Sequence, residues 1–381
     1  MNLVLSYGDL AVPGGYRTRV LGELAALDSQ SDLDPFLLVF DRNPADCEKA
    51  LAGGVAHRVV HRRAVARFYR EISHIARRKP IKLIHAHNLY SAALALSCRG
   101  RNGYKVVLDY HGRIPEEYVF LGKGGAASRK ALEILESWCV KSSDHVIAVS
   151  QKLSQYLIGR YRLPPSRLSI IPCCADSFLF RWDQAQRDAV RESLNVGQKF
   201  VCTHLGNFFE WYEPEMLIRV FNQIRDQVDG HLLVITSDRE RTSEYLTARL
   251  PRHTFTVRPA PHNQVAGLLN ASDIGFLLLR SSPNIETSSP VKFAEYINSG
   301  LPVFSTPGIG DFSDFIVKER IGGVCRQNGE IDLSLLREIQ DRRSEVAARC
   351  AAAGKTLTWQ AVLPVWQQMI DHLDLSDDPE S

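Results

Sequence analysis

Ser288, Ser289, Pro290, Val291, Lys292 and Glu295 are the residues whose types and spacing most readily do chemistry. Serine favours a helix cap and proline the first helical position, so a helix opening at Pro290 and capped by Ser288 or Ser289 is predicted. The N–H groups of its first turn, Val291 among them, would face an anion together with the positive helix end. Glu295 lies about one and a half turns further in. A diphosphate at the helix mouth would therefore leave its ribose near that carboxylate. Gly300 and Pro302 end the helix, and Val303 and Phe304 open the next strand. The pattern suits a nucleotide-sugar site.

Four further loops carry candidate groups. Gly14 and Gly15 follow the first strand, where glycine lets backbone approach a ligand, and Arg17 and Arg19 come just after. This is neither a G-x-G-x-x-G nor a Walker sequence, so dinucleotide and P-loop readings are weak. His85 and His87 fall two apart at the end of a strand and share one face. A metal there needs a third ligand, and none stands at a suggestive spacing, so a polar strand end is the better reading and no metal is expected. Residues 109–117 pack Asp109, His111, Arg113, Glu116 and Glu117 into one loop, a density that marks either a site or a salt-bridge network. Residues 206–214 hold Asn207 among aromatics and carry no Lys or Arg. Those rings would either stack on a base or sugar or be buried against the neighbouring domain.

The elements that must position these loops alternate. Strands are predicted at 2–7, 36–40, 82–85, 105–109, 145–149 and 168–171, with 59–60 a further candidate. Helices are predicted at 16–26, 63–78, 91–98, 128–141 and 152–161. After a polar stretch at 176–197, read as a connection between domains that carries a short helix, the alternation restarts. Strands fall at 200–205, 231–236, 254–257, 274–279 and 303–305, and helices between them, with a final helix at 358–373. Strand–helix alternation means parallel sheets wound on both faces. Two such domains, 1–178 and 179–356, with a terminal segment 357–381, are expected to face each other across a cleft, with ligands at the carboxyl ends of the strands.

The bulk numbers fit. The chain has 381 residues, enough for two cores, and 45% hydrophobic and 23% charged residues, ordinary for a globular protein. A net charge of +3 is too small to imply a nucleic-acid partner. Eight cysteines without a CxxC pair read as reduced, buried thiols, which favours a cytoplasmic protein, with a redox role open for the vicinal Cys173 and Cys174. Neither a signal peptide nor a membrane span is expected. Between His57 and Lys79 eight Arg and Lys residues face one acid, Glu71, while the tail is acidic (Asp374, Asp377, Asp378, Glu380). Arg63, Arg67 and Arg70, with Phe68 and Tyr69 beside them, make either a peripheral contact with an anionic membrane surface or a solvated face.

Taken in order, the Gly14–Gly15 loop, His111–Gly112, the run from Asp144 to Ser150, the run from Ile171 to Asp176 and the segment from Glu295 to Pro302 resemble glycosyltransferase family 4 on the GT-B fold. The resemblance covers nearly the whole chain. It implies two Rossmann-like domains and transfer of a sugar from a nucleotide-diphosphate sugar, with retention and without a required metal or other cofactor. The acceptor would be a carbohydrate or a lipid-linked hydroxyl, in polysaccharide or glycoconjugate synthesis. It also implies roles. Glu295 would hold the donor ribose, Ser288, Ser289 and Val291 the diphosphate, and His111 the transferred sugar, while Gly14 and Gly15, placed with the donor site, would let the first domain close on the phosphate and acceptor. Arg17, His87 and Arg113 are candidates for the acceptor or phosphate.

Two departures stand out. The family's paired glutamates are separated by seven residues, and that position here is Thr287, with Glu286 one place off. The loop 206–214 offers Asn207 where the family places an Arg and a Lys. A departing diphosphate needs positive charge or aligned donors. Lys292 is the substitute candidate, with Arg280 and Arg17 behind it; alternatively it pairs with Glu295 across one helical turn. The expected mechanism is front-face displacement, in which the protein orients the reactants and stabilises charge. The alternatives are a sugar-nucleotide epimerase and a non-catalytic GT-B scaffold whose donor loop has decayed.

Overall fold

The computed structural model describes residues 1–30, 33–52, 54–101 and 103–373. The acidic tail beyond them lies outside the described residues. The chain forms two compact units, Met1–Cys173 together with Trp359–Ser381, and Cys174–Thr358.

In the first unit β1 (Asn2–Tyr7), α1 (Gly15–Asp28), β2 (Pro35–Asp41), α2 (Pro44–Leu51), β3 (His57–His61), α3 (Phe68–Arg78), β4 (Leu83–His87), α4 (Asn88–Ser97) and β5 (Lys105–Tyr110) alternate. Then follow α5 (Ile114–Phe120), α6 (Ala126–Ser142), β6 (His145–Ala148), α7 (Gln151–Tyr161) and β7 (Leu168–Ile170). The sheet order is β3-β2-β1-β4-β5-β6-β7, and its pairs are parallel, with Val4 beside Leu37 on one side and His85 on the other. Strands covered on both faces read as continuous apolar runs, as Leu3, Val4 and Leu5 do, all buried.

The second unit runs α8 (Gln184–Ser193), β8 (Phe200–Leu205), α9 (Pro214–Arg225), β9 (Gly230–Ile235), α10 (Arg239–Thr247), β10 (Phe255–Arg258), α11 (His262–Asn270) and β11 (Ile274–Leu277). It continues with α12 (Val291–Asn298), β12 (Val303–Ser305), α13 (Phe312–Glu319), β13 (Gly322–Val324), α14 (Ser334–Asp341) and α15 (Arg343–Gly354). Its sheet order is β10-β9-β8-β11-β12-β13. In each unit the order reverses beside the first strand, between β1 and β4 and between β8 and β11. Loops leaving the carboxyl ends of those strands are where such sheets bind ligands.

The last helix, α16 (Trp359–His372), returns to the first unit. It lies against α1 where Gly22 leaves room, since a Cβ there would meet the Trp359 ring at 2.2 Å. Some local expectations shift. The predicted helix 63–78 is a 3-10 turn over Arg62–Arg67 followed by α3, so Arg63 and Arg67 do not share a helical face with Arg70. Phe68 is a core residue, whereas Tyr69 is exposed. The polar stretch 176–197 carries α8, capped by Asp183, and counts with the second unit. Helix α5 opens inside the loop 109–117 and runs on to Phe120; Pro115 at its start and Glu116 and Glu117 in its first turn are the signals that place it. All eight cysteines are free, and all but Cys98 are buried. Among the described residues no helix is long and apolar enough to cross a membrane.

Candidate functional site

In the second unit the site is built on α12. The helix opens after Pro290, which occupies the cap position itself, and no side chain caps it. This corrects the expected serine cap. The Ser288 hydroxyl turns back to donate to the Ile285 carbonyl at 2.9 Å, because residues Ile285–Thr287 form a 3-10 turn that brings that oxygen within reach. Ser289 is buried. The loop after β12 braces this turn: Gly310 has φ +44, and a Cβ there would sit 1.9 Å from the Ser288 carbonyl oxygen.

Glu295 is 4% exposed and lies one turn past the helix start, its Oε1 2.9 Å from His262 Nε2 at the opening of α11. Lys292 does not pair with Glu295 as its nearest partner. Its ammonium donates to the carbonyl of Leu205 at the end of β8 and sits 4.2 Å from the centre of the Tyr212 ring. Gly206, with φ +95, makes the space: a Cβ there would stand 2.9 Å from Lys292 Nζ. Burial pushes the Lys292 pKa down to about 7, against the opposing pull of Glu295. The same burial, with Lys292 nearby, lowers His204 to about 3.

The loop after β8 is a folded floor. Asn207 Oδ1 accepts from the N–H groups of Phe209 at 2.8 Å and Glu210 at 3.2 Å. Phe208 and Tyr212 are buried in the unit's own core, and the partly buried Phe209 and Trp211 pack on it. Glu286 is exposed on the 3-10 turn, and Thr287 is buried with its hydroxyl on the Pro283 and Asn284 carbonyls. Arg280 donates its backbone N–H to Trp211 at 2.9 Å.

In the first unit the polar strand end expected at His85 and His87 is a buried network. His85 and His87, with ring centres 4.7 Å apart, are 1% and 0% exposed. Arg19 and Glu23 of α1 reach them from one side and Asp109 of β5 from the other. Arg19 grips Asp109 with two bonds of 2.7 Å and donates to the Pro172 carbonyl at 3.0 Å. His85 Nδ1 lies 2.6 Å from Glu23 Oε1. Burial pushes Glu23 up to about 7 and His85 and His87 down to about 3 and 4. Burial would raise Asp109 too, but Arg19, His111 and His87 hold it well below the usual carboxylate range.

Glu23, His85, His87 and Asp109 thus offer ligand atoms within 4.8 Å of one another. Folding supplies the partners that sequence spacing did not. The two carboxylates nevertheless address different nitrogens of His87: Asp109 Oδ2 lies 2.9 Å from Nδ1, and Glu23 Oε2 lies 3.9 Å from Nε2.

His111, with a side chain 19% exposed, is the member of this network that reaches the surface. Tyr16 stands beside it, ring centres 5.6 Å apart, its hydroxyl bonded to Ser6 and Asn88. Gly14 is the cap of α1, with open space where a Cβ would be. Arg17 is tied to the Ala50 carbonyl at 3.3 Å, and Arg113 to Glu116 at 2.5 Å while stacking on Tyr156. A hollow at the carboxyl ends of β1, β2 and β3 is lined by Tyr7, Arg42, His61, Arg62 and Arg63.

Sequence reasoning missed Arg19 and Glu23 as a pair. They fall four apart on the stripe of α1 that also buries Val20, Leu24 and Leu27, and charges on an apolar stripe were the available signal. His262 had none, since only the fold brings it to Glu295.

Two Rossmann-like α/β units, each with its candidate groups at the strand ends flanking a reversal of sheet order, define the class. Residues 15–177 match the family profile described as Glycosyltransferase Family 4. It is 26% identical over 269 residues to a D-inositol 3-phosphate glycosyltransferase of Rhodococcus jostii, covering 68% of this chain and 56% of that one. A Rhodococcus opacus protein of the same name is 28% identical over 147 residues, covering 38% of this chain and 32% of that one. The chain thus spans about half, or less, of the length of these relatives. Among solved structures, Anabaena HepE in complex with UDP and glucose superposes with a TM-score of 0.74 at 15% identity, over 97% of this chain and 99% of that one. The sucrose-phosphate synthase of Thermosynechococcus elongatus gives 0.73 at 16% identity, over 98% and 100%. These likenesses establish the GT-B fold.

Proposed function

We propose that the protein transfers a sugar from a nucleotide-diphosphate sugar to a hydroxyl acceptor. The observation that carries this reading is Lys292, a half-buried cation at the floor of the β8 loop, where that loop itself supplies no Lys or Arg. An ammonium held in low dielectric and opposed by a carbonyl oxygen and an aromatic face becomes far more favourable when a diphosphate arrives. The uncapped start of α12, with Val291 and the Ser288–Ser289 turn, binds the diphosphate, and Glu295 exchanges His262 for the ribose hydroxyls. Glu286, exposed on its turn, is the remaining candidate beside the sugar. The anomeric carbon keeps its configuration, and the acceptor hydroxyl enters from the face that the diphosphate leaves, with no metal required. The curated relatives named for a glycosyl transfer to an inositol phosphate, and the neighbour solved with UDP and glucose, support this donor class.

On the acceptor side, two neighbouring strands end in cations. Arg42 follows β2 and Arg62 and Arg63 follow β3, with Asp9 answering Arg42 at 3.5 Å and Arg62 at 3.9 Å. Three guanidiniums against one carboxylate leave an excess of positive charge suited to an anionic acceptor, either a phosphorylated sugar or a lipid-linked one at a membrane surface. The exposed Arg67, Arg70, Arg77 and Arg78 extend that surface.

A thermal-shift panel of UDP-, GDP- and ADP-sugars tests the donor half. Ligand at about a hundred times its dissociation constant stabilises by about 2.7 kcal/mol. One nucleotide class is expected to raise the midpoint, and Glu295→Ala to abolish the rise. Identical midpoints with all three sugars would overturn the reading.

A further inference from the structure

The polar network of the first unit does more than fill its interior. Asp109 Oδ2 is approached by two imidazoles at once, His111 Nε2 at 2.6 Å and His87 Nδ1 at 2.9 Å, and the two nitrogens lie 3.3 Å from each other. Both oxygens of that carboxylate are also held by Arg19. An ionised carboxylate only accepts hydrogen bonds, so each nitrogen facing it carries its proton. Two N–H groups come this close because they converge on one oxygen. His111 is thereby fixed with hydrogen on Nε2, and its Nδ1 is left as a lone pair. Three of the four groups, Arg19, Asp109 and His87, are at most 1% exposed. Only His111 can meet a ligand.

We propose that Asp109, clamped by Arg19, is a positioning residue that sets the tautomer of His111, so that Nδ1 accepts a hydrogen bond from a substrate hydroxyl. This rests on the transferase reading for the identity of the hydroxyl, which belongs to the transferred sugar or to the acceptor. The ordering of the imidazole itself does not depend on it. The surrounding groups are consistent with the assignment. Glu23, raised to about 7 by burial, can when protonated donate to His85 Nδ1, and it meets His87 on the ring nitrogen opposite Asp109. Cys173 Sγ lies 3.8 Å from Arg19, and Tyr16 lines the exposed side of His111. No second carboxylate lies within an ion-pair distance of His111 among the described residues. The second-layer carboxylate that orients a substrate-facing imidazole is a recurrent arrangement, because it determines which nitrogen donates and which accepts.

The test reads the proton directly. Nitrogen-15 NMR of the labelled full chain, with His111 assigned by its loss in His111→Gln, is expected to show neutral His111 protonated at Nε2. Asp109→Asn, which keeps the shape and removes the charge, is expected to let the Nδ1–H form appear and to lower sugar transfer about 100-fold. Donor binding, measured by thermal shift on the same sample, should stay within twofold. A native His111 protonated at Nδ1 overturns the proposal, as does an Asp109→Asn protein that transfers at the native rate. Should Asp109→Asn fail to fold, the native spectrum decides alone. A native protein that binds no nucleotide sugar would defeat the transferase reading and leave the tautomer measurement standing.

Discussion

The two candidate sites hold charge in opposite ways. In the first, Arg19 lies on Asp109 and Asp109 on two imidazoles, with Glu23 beside His85. In the second, the half-buried Lys292 rests against a carbonyl and a ring, with Glu295 engaged by His262 instead. A compensated network holds a shape; a cation without a buried carboxylate at salt-bridge distance holds potential energy that an anion can release. The contrast suggests a division in which one half orders a hydroxyl partner and the other waits for a diphosphate.

The largest way to break that contrast is to remove a partner from the compensated side. Arg19→Met would leave Asp109 buried without its clamp and is expected to cost about 3–5 kcal/mol, read as a fall in the urea midpoint. Lys292→Met should do the reverse, lowering transfer by roughly 10²–10³ while leaving the fold intact. Its effect on stability depends on pH. The native pKa of about 7 lies below the ordinary 10.5, so between those values the unfolded chain binds the extra proton and native stability rises with pH. Below pH 7 the whole cost of burying the ammonium is present. The gain in stability of Lys292→Met over the native protein should therefore be greatest below pH 7 and vanish near pH 10.5. A gain that is flat across this window would show that Lys292 is charged and satisfied throughout.

Gly310→Ala comes next. Its Cβ would strike the Ser288 carbonyl from a left-handed backbone, so a loss of about 1–3 kcal/mol is expected, with weakened nucleotide binding in calorimetry. His262→Ala should have the smallest effect. The imidazole is half exposed, where such a pair contributes about 0.2–1 kcal/mol. Freeing Glu295 should tighten donor binding by no more than about fivefold, and weaker binding would make His262 a ligand in its own right.

Much of this was legible in the chain. Apolar runs separated by helical patterns gave both sheets, because strands covered on two faces have little choice of composition. Glu295 and its helix stop at Gly300 were readable from local rules, and Gly300 does take a φ of +68. The serine cap was not, because the 3-10 turn at 285–287 redirects Ser288. The pairing of Glu295 with His262, 33 residues earlier, and the convergence of α1, β4 and β5 on one carboxylate are products of topology. No local pattern encodes which distant strands become neighbours.

The route of α16 has a consequence for how the molecule is made. Trp366 lies edge-on to His85 at 4.5 Å, and Trp359 sits over Gly22, so part of the wall around the histidines is encoded after the whole second unit. A ribosome releases the Arg19, His85 and Asp109 segments long before it releases that wall. The growing chain must therefore carry those charges wet, and water must leave the histidine chamber in one of the last steps of maturation.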